Sequence, residues 1–552
     1  MLNIGRRSFL AAASLAAAPR PAWAQSLSSG AFTHGVASGD PLPDGIILWT
    51  RFAHRSDGRI GWEIAEDDAF ARVVQRGQAI ASLANDFCAK ADVRGLSPGR
   101  PYFYRFLSGS GPSVTGRTRT APREGAASLT VALVSCSNFR FGHFHAYGHA
   151  AAREGIDLVL HTGDYIYEYG GDDYPSAAEA VPGRLIEPQT EIVRLEDYYQ
   201  RYASYHTDAD LLELRRLKPF SVVWDDHEIA NDAWREGAQN HQDNEGAFVD
   251  RAAAASKAYF DWMPIRRPQP NGAQAYRSLD WGDLARIVLL DTRLIGRDKQ
   301  LDYRSALGLR LLMDGAITSG AVAEFRRTQL DVPNRTLMGA AQEAWFAETL
   351  AQSKQRGQTW QVVAQQVVMG QQLVNPAMAR LLPDGARNSR FVEIGARLGA
   401  LGMPWNLDAW DGYPAARARF LDACAANASN AVVLGGDSHN CWLNNLAHAD
   451  SSRLAAIEFA GASVTSPGLE RTLTNATPGE RESMMRTTNP NLAWCDITHR
   501  GYGVLRFTHT ACETEWVAFE DVRSLTPGTP TITRIASEPS ANAGPGAWSV
   551  ST

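Results

Sequence analysis

The chain has 552 residues, 44% of them hydrophobic and 21% charged, with a net charge of −6 and a pI near 6.1. That length exceeds one ordinary domain and allows a large core with an accessory module, while the composition is that of a globular protein. The acidic balance gives no reason to expect the basic stripe needed to neutralise phosphates, so no nucleic-acid-binding surface is expected; past residue 25 no apolar run reaches bilayer length, so no stable membrane insertion is expected either.

In chain order, the first segment reads as an address. Arg6 and Arg7 precede Ser8-Phe9-Leu10, an alanine-rich apolar stretch follows, and Ala22-Trp23-Ala24 supplies a small-x-small cleavage site. Adjacent arginines with Phe-Leu behind them look like a twin-arginine export signal over 1–24, with Gly5 in place of the usual hydroxyl residue. An ordinary secretory signal with neighbouring arginines is the alternative. Either predicts a periplasmic or secreted protein. Six cysteines are sparse for so long a chain and show no zinc spacing, although an oxidising compartment permits disulfides.

From Phe32 to about Arg123, short aromatic and branched runs such as DGIILWTR and PYFYRFLSG alternate with Gly, Pro and Asp clusters. GLSPGRPYFYRF (Gly95 to Phe106) resembles the tyrosine-corner region of fibronectin-type sandwiches, and 25–123 is read as an N-terminal β-sandwich. Residues 124–523 have another texture. The strand-like runs LTVALVSC, IDLVLHTGD, FSVVWDDH, LARIVLLDT, WQVVAQQVVMG and NAVVLGGDSH are separated by helical patterns, which predicts an α/β core. Leu195, Tyr198, Tyr202 and Tyr205 fall at helical spacing and read as core packing. Residues 524–552, rich in Pro, Ser, Thr and Gly, read as a poorly ordered tail.

Four of the apolar runs end in candidate metal ligands: Cys136; Asp164 with Tyr167; Asp226 with His227; and Asp437 with His439. Parallel strands in open α/β sheets deliver the residues beyond their carboxyl ends to one crevice. Taken singly, each residue has a plain structural reading: a buried thiol, a turn aspartate, a packed tyrosine, a satisfied histidine. Their recurrence at four strand ends points to a shared polynuclear metal site. Asp225 and Asp226 are adjacent, so on an extended segment their side chains point to opposite faces and only one is expected to enter the site.

Together HTGDYIYEY, VVWDDHEIAND, LGGDSHNCW and FTHGVASGDPLPDGIILWTR resemble the alkaline phosphatase D type (PhoD-like) phosphatases, within the wider metallophosphoesterase group. The resemblance runs from the arginine pair to RGYGVLRF near the end. It implies a four-layer α/β/β/α metallophosphoesterase core behind a fibronectin-like sandwich. The implied activity is hydrolysis of phosphate monoesters, and often diesters, outside the cytoplasm after export by the twin-arginine machinery. By motif, Asp164 would bridge metals, and Tyr167 and Cys136 would bind ferric iron. Asp226 would bind the second metal position, with His227 facing the substrate, and Asp437 and His439 would both be ligands. Asn231 is a weaker candidate for a calcium site.

The ligand types agree with that implication. Phenolate and carboxylates suit a hard, highly charged cation, and thiolate adds a soft donor that calcium and magnesium refuse. Oxygen-only ligands suit Ca2+ at neighbouring positions, while zinc or another divalent metal also fits the set. The expected chemistry is attack of a metal-held hydroxide on phosphorus, with His227 donating a proton to the leaving oxygen. Two alternatives stand beside it: a phospholipase D-like phosphodiesterase on the same fold, and a secreted binding protein with a structural metal, which would lack an open coordination position.

Overall fold

The computed structural model describes residues 31–550 except 54–56, 172, 269–273, 309–315, 383–388, 448–452, 462 and 539–543. The export-signal reading at 1–24 lies outside the described residues. No helix among the described residues is long and apolar enough to cross a membrane.

The apolar runs form strands buried on both faces, as parallel strands under helical cover must be. In Leu129–Val134, Leu129, Val131 and Leu133 enter one core while Ala132 and Val134 enter another on the opposite face. The period-2 alternation of side chains does this automatically. Leu129–Val134, Leu158–His161 and Phe220–Val222 pair in parallel, and Val36–Leu42, Gly45–Arg51 and Cys88–Arg94 continue the sheet on one side. Arg500–Phe507, Cys512–Phe519, Thr531–Ser537 and Ser549–Val550 complete ten strands on the other.

A second, seven-stranded sheet is built around the parallel strands Ala285–Leu289, Trp360–Ala364, Ala431–Gly435 and Leu454–Ala460. Its Ile287, Leu289, Val362, Val432 and Leu434 meet Leu129, Leu133, Leu158, Leu160 and Leu505 of the first sheet in one core. Its other face, carrying Val288, Val363 and Val433, is covered by the helices Gly339–Gln355 and Pro414–Asn427. The outer face of the first sheet is covered by His145–Ala152, Leu195–Tyr205, Ala209–Leu217 and Phe248–Trp262. Asp208 starts the third of these by accepting from the backbone N–H groups of Asp210 and Leu211. The tyrosine stripe packs as expected, with Tyr198, Tyr202 and Tyr205 buried and Leu195 against them.

The described residues bear on two expectations about organisation. The N-terminal region does form two facing sheets around Ile46, Leu48, Ile60, Ile64, Tyr104 and Phe106, and the Tyr102 hydroxyl accepts from the Ser97 N–H at 3.0 Å. One of those sheets is the end of the ten-stranded sheet, because Gly39 pairs in parallel with Phe220. The module is therefore welded to the core by backbone pairing. Within the segment after 524, Thr531–Ser537 is an ordered strand that pairs antiparallel with Cys512–Phe519 from Cys512↔Ser537 to Ala518↔Thr531. An edge strand with unpaired N–H and C=O groups is a ready template for such a partner.

Candidate metal centre

Because the strands are parallel, their carboxyl ends lie on one edge of each sheet, and both edges open to the same place. Val134 leads to Cys136, His161 to Asp164, Val222 to Asp225-Asp226-His227, and Gly435 to Asp437 and His439. The chain turns sharply there. Cys136, Asp164, Asp437 and His439 have φ of 53°, 56°, 62° and 58°, a left-handed conformation costing about 1–2 kcal/mol for a residue with a Cβ. Such strain gathers where function holds it. Gly163, at φ 103°, is required by its neighbour, since a Cβ there would sit 2.3 Å from Cβ of Asp225.

Three overlapping groups result, each with ligand atoms within 4.8 Å of one another: Cys136, Asp164 and His439; Asp164, Asp226 and His227; and Asp225, Asp226 and Asp437. Asp164 links the first two groups and Asp226 the last two. The Tyr167 hydroxyl joins the first, 3.0 Å from Asp164 Oδ2, 3.3 Å from His439 Nε2 and 2.6 Å from Ser466 Oγ. Nδ1 of His439 lies 2.9 Å from the Pro467 carbonyl, leaving Nε2 to the cluster. Asn231 is held otherwise: its amide donates to Gln239 Oε1 at 3.0 Å and its backbone N–H to Glu168 at 2.7 Å.

The expectation that Asp225 and Asp226 face apart fails. The strand ends at Val222, and the following backbone is irregular, so alternation no longer governs the pair. Both carboxylates approach Asp437.

The electrostatics are those of a site short of positive charge. Burial pushes the Asp225 and Asp437 carboxyls well up, and Arg293 only partly reverses it. Burial, then Asp164, likewise raises the Cys136 thiol and the Tyr167 phenol. Asp226 goes the other way: Arg293 and His227 outweigh its burial. Burial alone would lower His227, but Asp226, Glu168 and Asp164 hold it well above the ordinary imidazole range. Oδ1 of Asp164 and Oδ2 of Asp225 are buried with no hydrogen-bond donor. Leaving a buried acceptor unpaired costs about 1–3 kcal/mol, more when charged. A cation answers these deficits together, and thiolate, phenolate, imidazole and carboxylate are all metal donors.

Sequence reasoning missed the residues that hold the ligands. Glu228 accepts from the Asp164 N–H at 3.0 Å, the Tyr165 N–H at 2.5 Å and the Asp225 N–H at 2.8 Å, clamping two strand-end loops together. Glu168 Oε2 lies 2.7 Å from His227 Nδ1, which leaves Nε2 of that ring free to face the cluster. Ser466 donates to the Cys136 carbonyl at 3.0 Å as well as meeting Tyr167. Arg293 and Asp408 form a buried ion-pair network beside Asp225 and Asp437. Arg293 had a usable signal, as it stands four residues past the strand Ala285–Leu289; Glu168 and Glu228 lie inside the segments HTGDYIYEY and VVWDDHEIAND without a holding role being read for them, and Ser466 and Asp408 had no signal.

Fold and site together define an α/β protein that gathers candidate metal ligands beyond the carboxyl ends of its parallel strands. Comparison with known proteins narrows the class. The family model described as PhoD-like phosphatase matches residues 131–516, and that of the PhoD-like phosphatase N-terminal domain matches 16–122. Alkaline phosphatase D of Bacillus subtilis (strain 168) is 37% identical over 466 residues, 81% of this chain and 71% of the relative. A solved structure described as "Structure of PhoD" superposes with a TM-score of 0.75 at 30% identity, covering 97% of this chain and 94% of that one. The chain belongs to the PhoD-like phosphatase family, and so to the phosphoric ester hydrolases.

Proposed function

We propose that the protein is an exported, metal-dependent alkaline phosphatase and phosphodiesterase that releases phosphate from esters. The observation that carries the reading is the chain of three ligand groups joined through Asp164 and Asp226, with the buried Oδ1 of Asp164 lacking any donor. The donor set supports ferric iron at Cys136, Asp164, Tyr167 and His439, where a soft thiolate accompanies hard phenolate and carboxylate oxygens. It supports calcium at Asp226 and Asp437, where the donors are carboxylate oxygens; the position of Asn231 beside Glu168 adds nothing for or against it. The helix–sheet–sheet–helix stacking favours a four-layer α/β/β/α metallophosphoesterase core, and the Tyr102 corner favours a fibronectin-like sandwich. The arginine pair at Arg6 and Arg7 favours twin-arginine export and a periplasmic or secreted location.

When bound, the metals supply positive charge to the phosphoryl oxygens and lower the pKa of a water. The protein's own groups do the rest. Asp164 offers two carboxylate oxygens, enough to serve two cations. His227, with Nδ1 fixed by Glu168, presents Nε2 to the cluster and holds a proton there for the departing alkoxide. Its ring lies against that of Tyr167, with centroids 4.2 Å apart and the planes tilted by 32°, which limits its rotation.

Hydrolysis of p-nitrophenyl phosphate against bis-p-nitrophenyl phosphate at alkaline pH tests the reading. Cleavage of either ester that Asp164→Ala abolishes supports it, and the ratio of rates ranks monoester against diester. Metal-loaded protein that cleaves neither ester would sink it.

A further inference from the structure

Arg293 plays no part in the reading above, yet its guanidinium pairs with four aspartates. Its side chain is fully buried. The guanidinium donates through Nε to Asp225 Oδ1, through Nη1 to Asp408 Oδ2 at 2.7 Å and through Nη2 to Asp437 Oδ1 at 3.0 Å; Asp226 Oδ1 lies 3.7 Å from Nη2. Asp408 is itself held by Arg297 through both its side chain and its carbonyl. The far side of the fork is thus anchored, and the near side grips two members of the third ligand group.

The pairing leaves part of each carboxylate open. Asp225 and Asp437 both meet Arg293 through Oδ1, and Oδ2 of Asp225 is buried without a donor. Asp225, Asp226 and Asp437 would otherwise repel one another or take up protons, because like charges this close in a dry environment cannot all ionise. A planar, permanently charged fork fixes the direction of each carboxylate as well as its charge.

We propose that Arg293 is a positioning residue for a divalent-cation site formed by Asp225, Asp226 and Asp437. It binds one oxygen each of Asp225 and Asp437 and leaves the other to the cation, with calcium the best match to oxygen-only donors. Asp225 thereby joins the site as a third carboxylate. The inference rests on the metal-dependent reading above. Arg293 acts through the carboxylates, and lysine cannot replace it, because one ammonium on a flexible stem does not reach three carboxylates in fixed directions.

The test is calorimetric titration of calcium chloride into calcium-stripped full-chain protein, comparing wild type with Arg293→Met and Arg293→Lys, with iron content measured in each. The expected result is a calcium Kd raised about 10–100-fold in Arg293→Met, the range seen when a metal ligand loses its supporting partner. A rise of several-fold is expected in Arg293→Lys, with iron content unchanged in both. Calcium affinity equal to wild type in folded Arg293→Met overturns the proposal. Loss of iron along with calcium overturns it too, since that marks general collapse. If Arg293→Met does not fold, Arg293→Lys decides alone, a raised Kd supporting the proposal and an unchanged one overturning it. A wild type that binds no calcium overturns both this role and the calcium reading; an unaffected variant beside a calcium-binding wild type overturns this role only.

Discussion

Two buried aspartates show what distinguishes structure from chemistry in this molecule. Asp40 and Asp164 are both buried, both lie beside the short strand Phe220–Val222 or the loops at its end, and both hold a left-handed backbone, at φ 45° and 56°. Asp40 is saturated. Its Oδ1 accepts from Arg277 at 2.8 Å and Ser221 at 2.9 Å, and its Oδ2 from Arg277 at 2.9 Å and the Arg266 N–H at 2.8 Å. Asp164 has one oxygen on Tyr167 and the other on nothing. The protein completes the first carboxylate with its own donors and leaves the second incomplete, among other carboxylates. A buried acid whose lone pairs are all met is part of the scaffold; one left short is a request for a cation.

The widest separation comes from cutting each acid to alanine. Asp40→Ala strands the buried Arg277 and should lower stability by about 3–5 kcal/mol, read by urea unfolding. Asp164→Ala should abolish turnover and metal retention while the metal-free protein unfolds at an unchanged or higher midpoint. Activity surviving in Asp164→Ala, or a larger stability loss there than in Asp40→Ala, would erase the distinction. Next in size, His227→Ala should lower turnover by about 10²–10⁴-fold with bound metal retained. Loss of metal together with turnover would recast His227 as a ligand.

Glu168→Gln sharpens the comparison within the site. The amide keeps a hydrogen-bonding shape beside His227 Nδ1 but removes the charge that helps hold the ring protonated. Turnover is expected to fall about 10-fold, at the low end for loss of an orienting partner. NMR of the metal-free variant should find His227 releasing its proton at a lower pH than in wild type; an unchanged value would remove Glu168 from that role.

The smallest effect belongs to a scaffold pair. Asp496 Oδ2 lies 2.9 Å from His499 Nδ1 and accepts from Trp516 Nε1 at 2.8 Å. Although burial opposes it, His499 and the backbone donors bring Asp496 down to about 2, and Asp496 raises His499. The aspartate's contribution is present above its unfolded pKa of about 3.9 and is lost as pH falls through its folded value. The histidine's is present below about 6.5 and is lost as pH rises through its raised folded value. The destabilisation caused by Asp496→Asn should therefore peak between those limits and shrink on both sides, by under about 1 kcal/mol because His499 is partly exposed. A difference in Tm that does not vary with pH would contradict it.

Much of the site was legible in the sequence because parallel strands convert sequence into position. Once LTVALV, LVLH and AVVLG were read as strands, Cys136 and Asp164 had to gather at the carboxyl edge of one sheet and Asp437 at the carboxyl edge of the other. The residues that orient the ligands were illegible for the opposite reason. Glu228, Glu168, Ser466 and Asp408 sit in irregular loops, and no period places a loop side chain against a partner far along the chain. The Asp225–Asp226 misreading has the same root, since alternation was carried three residues past the end of the strand. At the fold level, the edges were hidden. Pairing of Gly39 with Phe220 and of Thr531–Ser537 with Cys512–Phe519 is long-range, and Pro, Ser and Thr around Thr531–Ser537 mask its short apolar pattern.

Elemental analysis of folded, exported protein decides whether the carboxylates, thiol and phenol gathered around Asp164 are a metal centre. About one iron and at least about one calcium per chain are expected, both lost in Asp164→Ala and kept in His227→Ala. Protein that hydrolyses p-nitrophenyl phosphate at full rate with no stoichiometric metal would contradict it.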